Sequence, residues 1–229
     1  MKLVNIILEG VKDIYFMHEL MKRRFPEFNT GINVIQTSKN VKNGVKLNSK
    51  DGSTRVALKQ VNGFDGIAKH SELLQSLPDF EGEFDAIVIF DADSKATKEN
   101  GGCSARREYI KTELAKSKRH IQLKDDKIFL FPNNHDDGEL ETLMERFVSD
   151  DDGHRTFFDV CWRNYSLCVE KHGFNHTSQK SKMNEYTAAF NGEAWDYGGI
   201  NKAFQDESLW NWNSQNLMPL YDFLSNVIM

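Results

Sequence analysis

Long hydrophobic runs, paired cysteines and an excess of positive charge are all missing from this sequence of 229 residues. The longest mainly apolar stretches, such as Leu3–Leu8 and Ala86–Phe90, are far shorter than the roughly 20 residues that cross a bilayer. We therefore expect a soluble protein without a membrane partner. The N-terminus lacks the cationic and then hydrophobic segments of a secretory signal, which predicts residence in the cytoplasm.

The cysteines and the charge exclude further classes of protein. Cys103, Cys161 and Cys168 are odd in number and show no C-x-x-C spacing, which argues against a disulfide framework or a zinc knuckle. The net charge of -5 argues against nonspecific coating of nucleic acid, because that mode requires broad neutralisation of phosphates by Lys and Arg. No Pro/Gly/Ser-rich linker divides the chain. We predict a core over residues 1–150 and a helical extension over 151–229 that packs on it.

Aliphatic and β-branched runs alternate with segments whose apolar residues recur at helical spacing. The predicted strands are Lys2–Leu8, Ile32–Thr37, Phe84–Phe90 and Lys127–Phe131, with a further strand over Val56–Val61. The predicted helices are Asp13–Arg24, Asp65–Leu77, Ser104–Ser117, Leu140–Phe147, Phe157–Val169, Lys182–Phe190 and Leu217–Ile228. Turn-forming pairs at Asn43-Gly44 and Asp51-Gly52 predict a small β-hairpin insertion. The alternation predicts an α/β fold with a central, mostly parallel four-stranded sheet, flanking helices and a helical C-terminal extension.

Acidic residues follow two of the predicted strands at the point where each strand ends. Glu9 closes the first strand, and Asp91 and Asp93 close the strand Phe84–Phe90. Ligands of open parallel sheets bind at the carboxyl ends of the strands, and side chains two positions apart in extended chain point to the same side. Converging carboxylates need a cation or protons to neutralise them, and oxygen ligands favour Mg²⁺ or Mn²⁺. The pattern predicts a metal site at Glu9, Asp91 and Asp93, although a D-x-D pair also opens turns.

A third polar cluster follows the fourth predicted strand, in the segment from Asn133 to Glu141. Acidic side chains in the first turn of a helix are favoured by the helix dipole, and this explains Glu141 as well as metal binding does. We predict Glu139 and Glu141 as further metal ligands and Asn133 and Asn134 as substrate contacts.

Two strings resemble motifs of the Toprim family, whose fold is shared by topoisomerases, primases and overcoming-lysogenization-defect-type nucleases. Ile6-Ile7-Leu8-Glu9-Gly10 with Asp13 is similar to the first Toprim motif, and Phe90-Asp91-Ala92-Asp93-Ser94 looks like the D-x-D motif. In that family the glutamate and both aspartates bind the catalytic metal. The resemblance implies this role for Glu9, Asp91 and Asp93, and we place Gly10 and Asp13 among the substrate-binding residues.

A closer resemblance is to the DUF3226 group of Toprim-like, nuclease-associated proteins. It is carried by Phe131-Pro132-Asn133-Asn134 with Glu139-Leu140-Glu141, and by Trp210-Asn211-Trp212 before Leu220-Tyr221-Asp222-Phe223-Leu224. Lys95 stands after Ser94, where Toprim enzymes often carry a third acidic residue. The accessory domains of better-known relatives are also missing, so activity on nucleic acid requires either a small substrate or a protein partner such as an ATPase.

Three functions are compatible with these residues. The first is Mg²⁺- or Mn²⁺-dependent cleavage of DNA or RNA phosphodiesters, in which Lys95 or Lys98 holds the phosphate backbone and Glu9 is a ligand or a general base. The second is a noncatalytic module that binds metal, nucleotide or a partner protein, as the incomplete acidic set and the negative charge suggest. The third, a phosphatase of the haloacid dehalogenase type, is disfavoured because its nucleophilic aspartate follows the first strand, where Glu9 stands here.

Overall fold

The computed structural model describes residues 1–29, 44–76, 79–96, 98–174, 178–192 and 197–229. The strands are β1 (Lys2–Leu8), β2 (Phe28–Asn29), β3 (Gly44–Ser49), β4 (Thr54–Gln60), β5 (Glu83–Asp91) and β6 (Ile128–Phe131). The helices are α1 (Val11–Arg24), α2 (Cys103–Lys116), α3 (Leu140–Arg146), α4 (Asp152–Thr156), α5 (Arg163–Lys171), α6 (Gln179–Asn191), α7 (Tyr197–Gln205) and α8 (Met218–Ile228). A π-helical segment, Phe157–Trp162, joins α4 to α5. Within these ranges no helix is both long and apolar enough to cross a membrane.

The strands form one mixed sheet in the order β2-β3-β4-β1-β5-β6. The strands β4, β1, β5 and β6 run parallel to one another, and Ile6 of β1 lies opposite Leu58 of β4 and Ile87 of β5. The hairpin β3–β4 pairs antiparallel, as does the two-residue strand β2 with β3. The α/β class, the flanking helices and the helical C-terminus are confirmed. The predicted four strands are too few, because the hairpin is part of the sheet rather than an insertion.

Two predicted elements differ in other ways. Over its described residues, which end at Ser76, the segment predicted as the helix Asp65–Leu77 forms two short 3₁₀ turns, Phe64–Gly66 and Ser71–Leu74. A Cβ atom at Gly66 would lie 1.9 Å from the carbonyl oxygen of Val61, so only glycine fits where the first of these turns passes the end of β4. The predicted strand Ile32–Thr37 lies outside the described residues.

Alternating side chains of β1 and β5 separate the core into two clusters on opposite faces of the sheet. Ile6 and Ile87 belong to the larger cluster, which includes residues of α1, α3 and α8, whereas Ile7 and Val88 belong to the smaller one beneath α2. Both faces are therefore covered, as expected for parallel strands without polar alternation. Burying each of these aliphatic side chains contributes about 1.5–3 kcal/mol.

The C-terminal helices share the larger cluster with the sheet. The ring of Trp212 stacks on Phe16 of α1 with a centroid distance of 6.0 Å, and the indole nitrogen of Trp210 donates to the carbonyl of Ala203 at 2.7 Å. Both tryptophans are buried. Their aromatic surface is therefore used in packing the chain's end against the sheet, while the division of the chain at residue 150 stays a prediction.

Candidate metal centre

The carboxyl end of β1 positions the first part of the site. Glu9 and Gly10 follow the strand directly, and Gly10 is the N-cap of α1. The amide of Gly10 donates to Oδ2 of Asp13 at 2.7 Å, which closes the first turn of the helix and fixes the buried Asp13 side chain beside Glu9. The sequence string that ends in Glu9-Gly10 thus forms a strand-to-helix turn with two carboxylates.

The end of β5 positions the second part. Asp91 is the last residue of the strand and pairs in register with Phe131 of β6. Its Oδ1 accepts a hydrogen bond from the amide of Leu140 at 2.8 Å, at the first residue of α3. This bond ties the strand end to the helix that carries the buried Glu141.

The two parts meet at one cavity of about 220 Å³. Its lining includes four carboxylates and two amines, contributed by Glu9, Asp13, Asp91, Glu141, Lys12 and Lys180. Lys180 comes from α6 in the C-terminal region, so residues from both ends of the chain meet there. The cavity lies where sequence reasoning placed it, at the carboxyl edge of the parallel strands.

Burial and mutual repulsion oppose negative charge in this cavity. Burial raises the pKa of Asp13 to about 7, and the neighbouring Glu9 carboxylate adds to the rise. Burial also raises the pKa of Asp91 well above its ordinary value, again with a contribution from Glu9. The pKa values of Glu9 and Glu141 are raised mainly by burial. The carboxylates thus favour a state in which protons or a cation reduce their charge.

Two lysines supply part of that positive charge. Nζ of Lys12 lies 3.8 Å from Oε1 of Glu141, and Nζ of Lys180 lies 3.4 Å from Oε2 of Glu139. Burial lowers the pKa of Lys180, but the Glu141, Glu139 and Asp91 carboxylates outweigh burial and raise it overall. Lys180 is therefore held as an ammonium ion at this acidic cavity.

Asp93, the second aspartate of the D-x-D motif, is absent from the cavity lining. Its backbone has φ of +56°, so the chain leaves the extended conformation that predicted a common direction for Asp91 and Asp93. Its buried carboxylate contacts the buried guanidinium of Arg106 and lies 2.7 Å from Nζ of Lys98. The Arg106 guanidinium is also 3.5 Å from the centre of the Phe64 ring. Asp93 is thus the centre of an ion-pair network, and Lys98 is bound to it.

The remaining predicted site residues lie at the edge of the cavity, in the turn after β6 or on the surface. Glu139 is the N-cap of α3, and its carboxylate contacts Lys180 at the edge of the cavity. Oδ1 of Asn133 accepts from the amides of two residues that follow it in the turn after β6, and Oδ1 of Asn134 accepts from the amide of Leu130. Lys95 is exposed. The two asparagines therefore stabilise the turn that leads to α3.

The donor chemistry of the cavity suits a hard divalent cation, but the ligands are not assembled as a complete set. Oε2 of Glu9 is buried and has no hydrogen-bond partner among the described residues, which leaves one carboxylate oxygen free for a ligand. Over the same ranges no three His, Cys, Asp or Glu side chains are grouped closely enough to hold a metal together. Mg²⁺ commonly binds through only one or two carboxylates and keeps several waters, and Glu9 and Asp91 are two carboxylates that line this cavity from adjacent strand ends.

Sequence reasoning missed Lys12 and Lys180 as site residues. Lys12 had a usable signal, since it lies three residues after Glu9 in the same strand-to-helix turn. Lys180 had none, because 89 positions separate it from Asp91 and only the packing of α6 on α3 brings it to the cavity.

The model of the family described as "Protein of unknown function (DUF3226)" matches residues 4–229, and the chain belongs to this family. No curated protein matches the chain. Among solved structures, the chain is similar to the hypothetical protein PH0156 from Pyrococcus horikoshii OT3, with 16% identity and a TM-score of 0.46. That likeness covers 99% of this chain and 95% of the other.

Proposed function

We propose that this protein is a Mg²⁺- or Mn²⁺-dependent phosphoryl-transfer enzyme that cleaves phosphodiesters of DNA or RNA. The observation that carries the proposal is the convergence of Glu9, Asp13, Asp91 and Glu141 on one cavity at the carboxyl ends of the parallel strands. Their raised pKa values and the unpaired Oε2 of Glu9 indicate a site with more negative charge than its own lysines balance. A divalent cation supplies the missing charge.

The Toprim resemblance supports the same reaction class. In that family the glutamate after the first strand and the D-x-D aspartates hold the metal, and Glu9 and Asp91 occupy the corresponding positions in this sequence. The parallel order β4-β1-β5-β6 brings both residues to adjacent strand ends. Asp93 departs from the pattern because Arg106 and Lys98 neutralise it, and Asp13 and Glu141 are the further carboxylates that line the cavity with Glu9 and Asp91.

The chain's own residues have distinct tasks in this proposal. Glu9 and Asp91 would hold the cation, which would polarise a phosphate oxygen and lower the pKa of a water molecule when bound. Asp13, with a pKa of about 7, takes up and releases a proton near neutral pH. Lys180 presents an ammonium group to the phosphate at the cavity edge. An exposed Lys95 lies outside the buried network and remains a candidate for contact with the nucleic acid backbone.

A second candidate is a noncatalytic Toprim-like module that binds a nucleotide or a partner protein, such as an ATPase. The observation that favours it is the internal neutralisation of Asp93 by Arg106 and Lys98, together with the contacts of Lys12 and Lys180 to Glu141 and Glu139. In this case the lysines replace the metal in balancing the carboxylates.

Mn²⁺ titration by calorimetry, followed by cleavage assays on single- and double-stranded DNA and RNA oligonucleotides, distinguishes the two candidates. We expect Mn²⁺ binding and metal-dependent cleavage by the wild-type protein and loss of both in Glu9→Gln. Asp126→Asn is the matched control, since Asp126 is an exposed acid in the loop before β6. Failure of the wild-type protein to bind Mn²⁺ at millimolar concentration would favour the noncatalytic module.

A further inference from the structure

The C-terminal region contains a second cavity, of about 250 Å³, which the proposed function does not use. Its lining residues are Phe157, Cys161, Trp162, Tyr165 and Glu185. The first three belong to the π-helical segment, Tyr165 to α5 and Glu185 to α6. None of them lines the carboxylate cavity, so the two cavities are separate sites.

Three aromatic side chains line this second cavity. The ring centroids of Trp162 and Tyr165 are 5.2 Å apart and the ring planes are inclined by 42°, so the two rings are tilted and not stacked in parallel. Tyr165 is 41% exposed, whereas Trp162 is 8% exposed and anchored in the fold. Phe157 is supported by edge contacts with Tyr186 and Phe190. The π-helical turn, a type often found at functional sites, brings Phe157 and Trp162 to the same opening.

Glu185 adds one negative charge to this aromatic wall. It is exposed, and its carboxylate forms no ion pair with another described residue. Lys182, three residues earlier on α6, has its Nζ 2.6 Å from Oε1 of Glu145 and 5.4 Å from the centre of the Phe158 ring. The charge of Lys182 is thus neutralised by Glu145, and that of Glu185 remains available for a ligand.

We infer that this cavity binds an organic cation, an alkylammonium or guanidinium group. Aromatic rings attract a cation through their quadrupoles, three of them line this cavity, and Glu185 supplies the counter-charge. Both features disfavour an anion, so stacking of a phosphate-bearing nucleotide is not the expected use of these rings. A free amine and the side chain of Arg or Lys in a partner protein share this chemistry.

Calorimetric or NMR titration with tetramethylammonium and with its neutral isostere, tert-butanol, tests the inference. Because cation–π attraction contributes about 1 kcal/mol, we expect tetramethylammonium to bind at least about fivefold more tightly than tert-butanol. An arginine-containing tripeptide forms a second arm, since tighter binding of the peptide identifies a protein side chain as the source of the cation and tighter binding of the free amine identifies a small molecule.

Glu185→Gln keeps the shape of the cavity and removes its charge. We expect it to weaken binding of tetramethylammonium about fivefold and to leave tert-butanol unchanged. Glu170→Gln, which removes an exposed charge on α5 outside the cavity, is the matched control and should change neither. Equal binding of the cation and its isostere would overturn the inference, as would the absence of binding by both cationic probes or an unchanged affinity in Glu185→Gln.

Discussion

Asp91 and Asp93 belong to one motif, yet their carboxylates have opposite surroundings. Asp91 lines a cavity with three other carboxylates, and burial and Glu9 raise its pKa. Asp93 contacts the guanidinium of Arg106 and the ammonium of Lys98. Carboxylates outnumber amines in the lining of the first environment, although the Arg106 guanidinium partly offsets the rise that burial causes in the pKa of Glu9. By contrast, two cations contact the single carboxylate of the second. In the proposed function Asp91 is therefore the aspartate that binds the cation, whereas Asp93 is held in an ion-pair network.

The largest expected effect is a difference in unfolding free energy between the Asp93→Asn and Asp91→Asn variants. Asp93→Asn leaves the buried Arg106 without its closest counter-charge, and breaking a buried pair of this kind costs about 3 kcal/mol of unfolding free energy. Asp91→Asn should not lower the unfolding free energy, because it removes a carboxylate that burial and its neighbours already oppose. Urea unfolding of both variants measures this, with the exposed Asp126→Asn as control. Equal stability losses in the two variants would contradict the comparison.

The second prediction is that Mn²⁺ affinity falls much more in Asp91→Asn than in Asp93→Asn, the opposite of the order expected for stability. Asp91→Asn removes a proposed ligand, and we expect Mn²⁺ to bind about 100-fold more weakly. Asp93→Asn should change the affinity by less than about threefold, because Asp93 is absent from the cavity lining. Calorimetric titration of folded variants, checked by circular dichroism, provides the measurement. A large affinity loss in Asp93→Asn without loss of stability would assign Asp93 to the metal.

The pattern of apolar residues was sufficient to predict most of the fold. β1, β5 and β6 were predicted within one residue of their observed ends, because buried parallel strands appear as short apolar runs between turn formers. The helix predicted over Asp65–Leu77 was wrong: its apolar residues recur at helical spacing in the sequence, but its described part forms only two short 3₁₀ turns. α7 was not predicted at all. Its sequence contains two glycines, which are poor helix formers, and packing against α1 favours the helix there.

The candidate site was predictable where its residues lie near strand ends or match a motif. Glu9 and Asp91 follow from strand position, Asp13 from the resemblance to the first Toprim motif, and Glu141 from the polar cluster after the fourth predicted strand. The separation of Asp91 from Asp93 depends on a left-handed backbone conformation at Asp93, which the residue type does not determine. The pairing of Asp93 with Arg106 could not be predicted either, because 13 positions separate the two residues in the sequence.

A third prediction concerns the pH dependence of Mn²⁺ affinity at the carboxylate cavity that Asp91 lines. Protons compete with a cation for the carboxylates, and the pKa of Asp13 is about 7, so Mn²⁺ affinity should fall as the pH falls through this value. We expect binding about tenfold weaker at about pH 6 than at about pH 8. Asp13→Asn should make the dependence shallower, although Glu9 and Asp91 preserve part of it.

The matched control for the pH experiment is Asp51→Asn. Hydrogen bonds from Ser49 and Ser53 lower the pKa of Asp51 to about 2, so this residue keeps one charge state across the measured range. Its variant should reproduce the wild-type pH profile. A wild-type profile that is flat between the two pH values would contradict the assignment of Asp13 to the cation site.

The smallest expected effect concerns the amine that the cavity already contains. Lys180→Met removes an ammonium group that repels a second cation, and a partly exposed charge of this kind changes binding by about threefold. Mn²⁺ should therefore bind more tightly to this variant, while an oligonucleotide should bind more weakly in the presence of the metal. Lys182→Met is the matched control on the same helix, because the Lys182 ammonium is bound to Glu145. Weaker Mn²⁺ binding in Lys180→Met would mean that Lys180 orders the carboxylates instead of competing with the metal for them. Lys180 would then be a structural ion-pair partner, as Arg106 and Lys98 are for Asp93.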